Sequence, residues 1–272
     1  MRILGLKIIG MIILGLAYSI HANAEAKYEI GLGGIATSMP GYVGSDESSV
    51  FAAPFPYFWY QSDRVTVDRN ALQGKMWQTE NFKLELSAGG SIPVKSGDNK
   101  ARQGMEDLDW IGEMGPSLMW FLSGKDEDRD KTYLDLGIRG AMASDFRNYE
   151  FLGYVVEPKI AYEKGINSDT FGKIDFVAKL SLPYSSAKFH DYVYGVDQQY
   201  ATADRPAYEA ESGFDGVRLA MGISARKENL WYGIFTKYYN ISSASFADSP
   251  LVKKKQSYVV GVAVAYIFSK NY

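Results

Sequence analysis

The chain has 272 residues, with 29 Lys and Arg against 32 Asp and Glu for a net charge of −3, and no cysteine. Mild acidity argues against nucleic acid as a partner, and the missing thiols rule out a disulfide framework, thiol chemistry and a cysteine-ligated metal. Aromatics at 14%, with 20 Tyr and 27 Gly, are high for a soluble domain and natural for a barrel with interfacial girdles and tight turns.

Residues 1–24 read as a secretory signal peptide: a basic start (Arg2, Lys7), an apolar core from Ile8 to Ile20, and Ala22-Asn23-Ala24 as a small-x-small cleavage site. The apolar core is shorter than the roughly 20 residues a membrane-spanning helix needs. Residues 25–272 then form one domain, and no apolar run in it approaches that length. A membrane-embedded fold of this domain must be a closed sheet, because lipid offers no partner to an unpaired backbone group.

From Tyr28 onward the chain reads as strand, break, strand. The first strand (26–37) is followed by a loop dense in turn formers, Met39 to Glu47. The second (50–60) contains Pro54 and Pro56, which predict an irregular or bulged ladder. Ser62-Asp63-Arg64 is a hairpin turn, and Val65 opens a third strand. Alternation is then clear: Phe82, Leu84, Leu86; Trp110, Met114, Leu118, Trp120; Leu134, Leu136, Ile138, Met142; Leu152, Tyr154, Val156, Ile160, Tyr162; Ile174, Phe176, Ala178, Leu180; and Val217, Leu219, Met221, Ile223 form one face. A weak strand is expected at 188–196 and an aromatic one at 230–240. In the last stretch Tyr258, Val260, Val262, Val264, Tyr266 and Phe268 alternate with mostly small residues, in phase with a terminal aromatic, Tyr272. That pattern suits a lipid-facing strand with rings at both membrane interfaces.

A soluble sandwich would share this alternation. Long strands in near-continuous succession, no helical period, and aromatics at strand ends point instead to an all-β transmembrane antiparallel up-and-down barrel of about twelve strands, ten being the alternative count. Counting hairpins from a periplasmic start puts the loops after residues 37, 72, 122, 164, 196 and 240 outside the cell. It leaves one exception, the long segment Gly97 to Leu108, on the periplasmic side.

The opposite face carries Lys83, Arg139, Lys159, Lys173, Lys179 and Arg218 against Glu85, Glu113, Asp135, Glu157, Glu163 and Asp175. Equal numbers of each sign predict cross-strand pairing through a narrow or plugged lumen, with no single-sign field to select ions. His190, with Ser185, Ser186 and Asp191 nearby, has the residue types of a hydrolase site, although a polar residue at a strand end is the simpler reading. Asp126 to Asp130 lacks the glycine and spacing of a calcium loop and reads as a hairpin tip. Lys253-Lys254-Lys255 reads as a solvated charge run, the alternative being contact with lipopolysaccharide phosphates if its loop is external. Tyr42, Gly44, Ser45 and Asp46, and likewise Asp248, Ser249 and Pro250, are either loop contact sites for a partner or turn-forming residues. No catalytic residue, metal site or cofactor is expected.

Several of these pieces occur in an order that resembles the MipA/OmpV family: Pro40-x-Tyr42-x-Gly44-Ser45-Asp46; Gly115-Pro116-Ser117; Tyr194-Gly195-Val196; Arg205-x-x-Tyr208-x-Ala210-x-x-Gly213; and Ala247-Asp248-Ser249-Pro250-Leu251-Val252. The resemblance implies a non-enzymatic barrel in the bacterial outer membrane, among lipid and lipopolysaccharide. For the family prototype it also implies a scaffold for a peptidoglycan lytic transglycosylase, with murein hydrolase or synthase partners. The alternative function is a narrow channel or permeability determinant for small solutes.

Overall fold

The computed structural model describes residues 27–61, 65–67 and 72–271. Residues 1–24, read as a signal peptide, residues 62–64, read as a hairpin turn, and Tyr272 lie outside the described residues. In chain order the elements are β1 (Lys27–Pro40), β2 (Ser48–Gln61), β3 (Val65–Val67), β4 (Leu72–Gln78), β5 (Phe82–Ser91), β6 (Trp110–Ser123), β7 (Lys131–Ser144), β8 (Tyr149–Ser168), β9 (Gly172–Ser181), β10 (Tyr184–Ser185), α1 (Ala187–Tyr194), β11 (Gly213–Phe214), β12 (Val217–Lys227), β13 (Leu230–Asn240) and β14 (Gln256–Lys270).

Each strand from β1 to β9 pairs antiparallel with its sequence neighbour; β9 then pairs with β12, β12 with β13, β13 with β14, and β14 returns to β1 from Glu29↔Lys270 to Ser38↔Val260. Twelve strands thus close a ring, in which, among the described residues, β2 meets β3 only through Tyr60↔Val67 and Gln61↔Thr66, and β8 meets β9 only from Lys159 onward. β10 and β11 lie outside that ring order, extending the wall beside the upper part of β8. Both described chain ends meet at one rim, where the Tyr28 N–H donates to Asn271 Oδ1 at 2.8 Å. We call this the turn end and the other the loop end.

The strand number agrees with the sequence, but two individual strands do not. Residues 188–196 are helical over Ala187–Tyr194, because His190, Val193 and Tyr194 are buried at helical spacing rather than at a period of two. β4 was missed because a register shift between Lys75 and Trp77 leaves the adjacent Met76 and Trp77 both exposed and breaks the alternation. The two errors cancel in the count and reverse every strand from β5 to β9. The turns after residues 122 and 164 therefore lie at the turn end, and Gly97 to Leu108 belongs with the long loops.

Two smaller corrections follow from the ladders. β2 pairs with β1 without a register shift through Pro54↔Gly34 and Pro56↔Leu32. The two prolines share a parity, so their missing donors fall on one side and spare the β1 ladder. Leu152 faces inward, because β8 bulges where Ala141 pairs with Gly153 and Met142 with Phe151. The other alternations hold: Leu134, Leu136, Ile138 and Met142 of β7, and the six large even residues of β14 from Tyr258 to Phe268, are exposed on the outer wall, as a lipid-facing surface requires.

Candidate functional site

The loop end is covered by a cap with its own apolar core. The segments 41–47, 92–109, 182–216 and 241–255 converge there, burying Tyr42, Leu108, Val193, Tyr194, Val196, Ile241, Phe246 and Leu251 against inward residues of the wall such as Ile111, Ala141, Leu152 and Val155. The bulge in β8 anchors α1. Gly153 has φ +103, and the hydroxyl of Ser186, the residue before α1, accepts from Tyr154 N–H at 3.1 Å and donates to Leu152 C=O at 3.0 Å. A Cβ on Gly153 would lie 2.1 Å from that hydroxyl.

Tyr194, the last residue of α1, stacks on Phe246 with ring centroids 3.7 Å apart and meets Tyr42 edge-on at 6.2 Å. Its phenol donates to Val43 C=O at 3.0 Å, and Ser249 Oγ donates to its carbonyl at 2.7 Å. The Tyr42 phenol donates to Leu251 C=O at 2.7 Å. Gly44, at φ +99, places one carbonyl where the N–H groups of Lys253 and Lys254 reach it at 2.8 and 2.9 Å, while its own N–H donates to Ser257 Oγ at 3.0 Å. Burial pushes the Tyr42 phenol up to about 12 and raises that of Tyr194.

Two arginines bind carbonyls instead of carboxylates. Arg102, 3% exposed, donates to Val193 C=O at 2.9 Å and to Glu106 C=O at 3.2 Å, and burial lowers its pKa. Arg205 donates to the carbonyls of Ala101 and Tyr200 at 2.9 and 2.8 Å. Sequence reading gave no role to Arg102; its signal, a lone arginine in a long polar loop, is indistinguishable from a solvated one.

Beneath the cap a chain of charges crosses the inner wall. Glu113 of β6 accepts from Arg139 Nε of β7 at 2.9 Å; Arg139 Nη2 reaches Glu157 of β8 at 2.8 Å; Glu157 faces Arg218 of β12 at 3.8 Å; and Arg218 donates to Asp215 at 2.9 Å. Asp215 Oδ1 lies 2.9 Å from Nε2 of the wholly buried His190, so the chain ends in the cap helix. A second layer pairs Lys83 with Glu85 and Asp126 at 2.8 and 3.0 Å, and Lys159 with Asp135 at 3.0 Å, with Ser117 Oγ donating to Asp135. Toward the turn end the Tyr133 phenol donates to Glu163 at 2.8 Å, and Arg226 pairs with Glu29.

Of the twelve charges read as lumenal, Lys83, Glu85, Glu113, Asp135, Arg139, Glu157, Lys159, Glu163 and Arg218 join these layers or their rim. Asp175 instead pairs with Arg129 from the β6–β7 turn at 2.8 Å. Lys173 and Lys179 have no ion-pair partner among the described residues, and neither has Lys237, whose register partner Ala220 is also that of Lys179. Of the loop residues, Tyr42, Gly44, Ser45 and Ser249 are interior parts of the cap, whereas Asp46 and Asp248 are exposed and Pro250 half-buried. The Asp126–Asp130 tip is tied down by lysines: Asp126 to Lys83, and Asp130 to Lys164 at 2.7 Å.

The serine-histidine arrangement is not the one the sequence offered. Ser185 Oγ donates to Asp215, Ser186 holds the bulge, and Asp191 accepts from Ala210 N–H. Ser245 Oγ lies 3.2 Å from His190 Nδ1, but that nitrogen is 2.7 Å from Glu211 C=O. His190 Nε2 thus faces the Asp215 carboxylate, while Nδ1 lies nearer the Glu211 carbonyl than Ser245 Oγ.

Residues 31–268 match the family described as MltA-interacting protein MipA. The chain belongs to this family. Over 154 residues it is 29% identical to Outer membrane protein Omp26La of Vibrio anguillarum and to Outer membrane protein OmpV of Vibrio cholerae serotype O1. Each match covers 54% of this chain and 58% of the relative. A solved structure titled TodX deltaS2S3 mutant monoaromatic hydrocarbon channel is 10% identical, with 93% of this chain and 92% of that one covered at a TM-score of 0.28, too low for the two to be compared strand by strand. This MipA-family barrel is an outer-membrane protein.

Proposed function

We propose that this protein is a non-enzymatic, plugged outer-membrane barrel that scaffolds peptidoglycan-remodelling machinery such as a lytic transglycosylase. The observation that carries the reading is the closed loop end: an apolar cap tied to the wall by a continuous chain of charges is built for rigidity rather than passage. The family description, which names interaction with MltA, supplies the class of partner. Barrels of this kind have short periplasmic turns and long external loops, so murein enzymes meet the turn end: the tips at 124–130, 169–171 and 228–229. Asp46, Asp248 and Pro250 are left as external contacts. Photo-crosslinkers at Glu127, Asp169 and Glu228 should capture a lytic transglycosylase in envelope extracts, and one at Ser243 on the loop end should not. No capture from the turn end, or capture from Ser243 alone, refutes the scaffold.

One observation favours a second reading, a narrow permeability path. On the inner faces of β9, β12 and β13, Lys179, Ala220, Gly222 and Phe235 are only half-buried and Lys237 is exposed. With Lys173, this strip gives the lumen a cationic side that favours small anions.

A further inference from the structure

On the outer wall at the loop end, a cleft of about 630 Å³ opens between the ends of β1, β2 and β14 and the segment just before β14. Ser38, Ser48, Lys254 and Lys255 line its polar part, and Tyr258 and Val260 continue it onto the lipid-facing wall. Its placement is fixed, because Gly44 C=O holds the backbone of Lys253 and Lys254. The side chains are held loosely. Lys254 Nζ reaches Asp46 C=O at 3.4 Å; Lys255 Nζ contacts Ala247 C=O and lies 3.9 Å from Asp248, itself 100% exposed. Both cations thus touch backbone oxygens and, at the limit of ion pairing, one solvated carboxylate, so most of their charge is uncompensated.

Below the cleft the same face of β14 continues as Val262 and Val264. Val262 also borders an apolar groove of about 320 Å³ lined by Ile223, Ala225, Tyr232 and Ile234. Val260 and Val262 are two residues apart, about 7 Å along the strand, so the basic cleft and the apolar groove form one track running from the interface into the hydrocarbon. Tyr258, an interfacial aromatic, marks the depth at which headgroups sit.

We infer that this track binds a phosphorylated outer-leaflet lipid. Its phosphate is held by Lys254 and Lys255 with the Ser38 and Ser48 hydroxyls, and an acyl chain lies over Val260 and Val262. Phosphate is the class that suits two lysines lining one cleft together with serine hydroxyls, and the apolar continuation selects a lipid over a free anion.

The test uses the full-length folded protein in detergent, with heat-shifted gel mobility confirming that each variant is folded. Native mass spectrometry is run with bisphosphorylated lipid A, with the same lipid after dephosphorylation, and with inorganic phosphate as competitor. The expected results are one bound phosphorylated lipid, little retention of the dephosphorylated form, and about thirty-fold weaker binding for Lys254→Gln/Lys255→Gln, equivalent to roughly 2 kcal/mol. Equal retention of both lipids by the native protein overturns the proposal even if the variant does not fold. Unchanged binding by a folded variant also overturns it. Displacement of the lipid by millimolar inorganic phosphate alone would assign a free-anion site and overturn the lipid assignment.

Discussion

Replacing Arg139 with alanine tests whether the lumen beneath the cap is dry. Arg139 is 5% exposed and bridges Glu113 and Glu157 at 2.9 and 2.8 Å. Without it, Glu157 keeps Arg218 at 3.8 Å, while Glu113 is left with no ion-pair partner among the described residues. Breaking one side of a buried pair costs about 3–5 kcal/mol, because the remaining charge stays desolvated. A wetted lumen would screen that charge and reduce the cost to about 0–1 kcal/mol. Urea unfolding in lipid vesicles, followed by tryptophan fluorescence and gel mobility, should show a loss of about 4 kcal/mol for Arg139→Ala. Arg139→Ala/Glu113→Gln should recover roughly half of it, since the orphaned charge is then gone. A loss below about 1 kcal/mol, or no recovery in the double variant, would refute the plugged interior.

Gly153→Ala should weaken the docking of α1 by about 2 kcal/mol through the positive φ and the clash with Ser186, read as faster trypsin cleavage within the cap at Lys188; unchanged cleavage contradicts the anchor. Tyr42 stays neutral in the folded cap up to about pH 12, whereas it ionises near pH 10 when the cap is undone. Its contribution is therefore complete below pH 10 and lost as the pH rises through 12. Amide exchange in the cap, corrected for its intrinsic base catalysis, should accelerate across that window, and Tyr42→Phe should reduce the acceleration to the part carried by other buried phenols such as Tyr194. His190→Ala should loosen the cap by about 2 kcal/mol through loss of its bond to Asp215 while leaving ester hydrolysis by the preparation at background; a hydrolysis that disappears with His190 would revive the enzyme reading.

Faces were legible in the sequence wherever one side of a strand meets lipid, because that side must be apolar at every second residue. Hence β14 and β7 could be read residue by residue. The errors lie where another force sets the period. At β4 a bulge interrupts the ladder. At Leu152 and Gly153 a bulge turns a leucine inward to serve the cap. At α1 the apolar spacing belongs to a short helix in a long loop, not to the wall. The misplaced long segment Gly97 to Leu108 was itself the trace of a strand missed upstream.

The inward charges were legible as residue types, but their partners depend on register and could not be. Arg139 finds Glu113 and Glu157 because β6, β7 and β8 align at that level, whereas Lys179 and Lys237 flank Ala220 and find no acid among the described residues. The motif residues Tyr42, Gly44 and Ser249 offered two readings, surface contact or turn chemistry. Only the three-dimensional arrangement shows that their hydrogen bonds knit one loop to another.

Single-channel recording of the purified, refolded protein in a planar bilayer tests the central claim most directly. A barrel closed at its loop end by the cap and crossed by paired charges should show no discrete conductance steps at ordinary holding potentials. Well-resolved openings, especially anion-selective ones abolished by Lys179→Glu/Lys237→Glu, would contradict it.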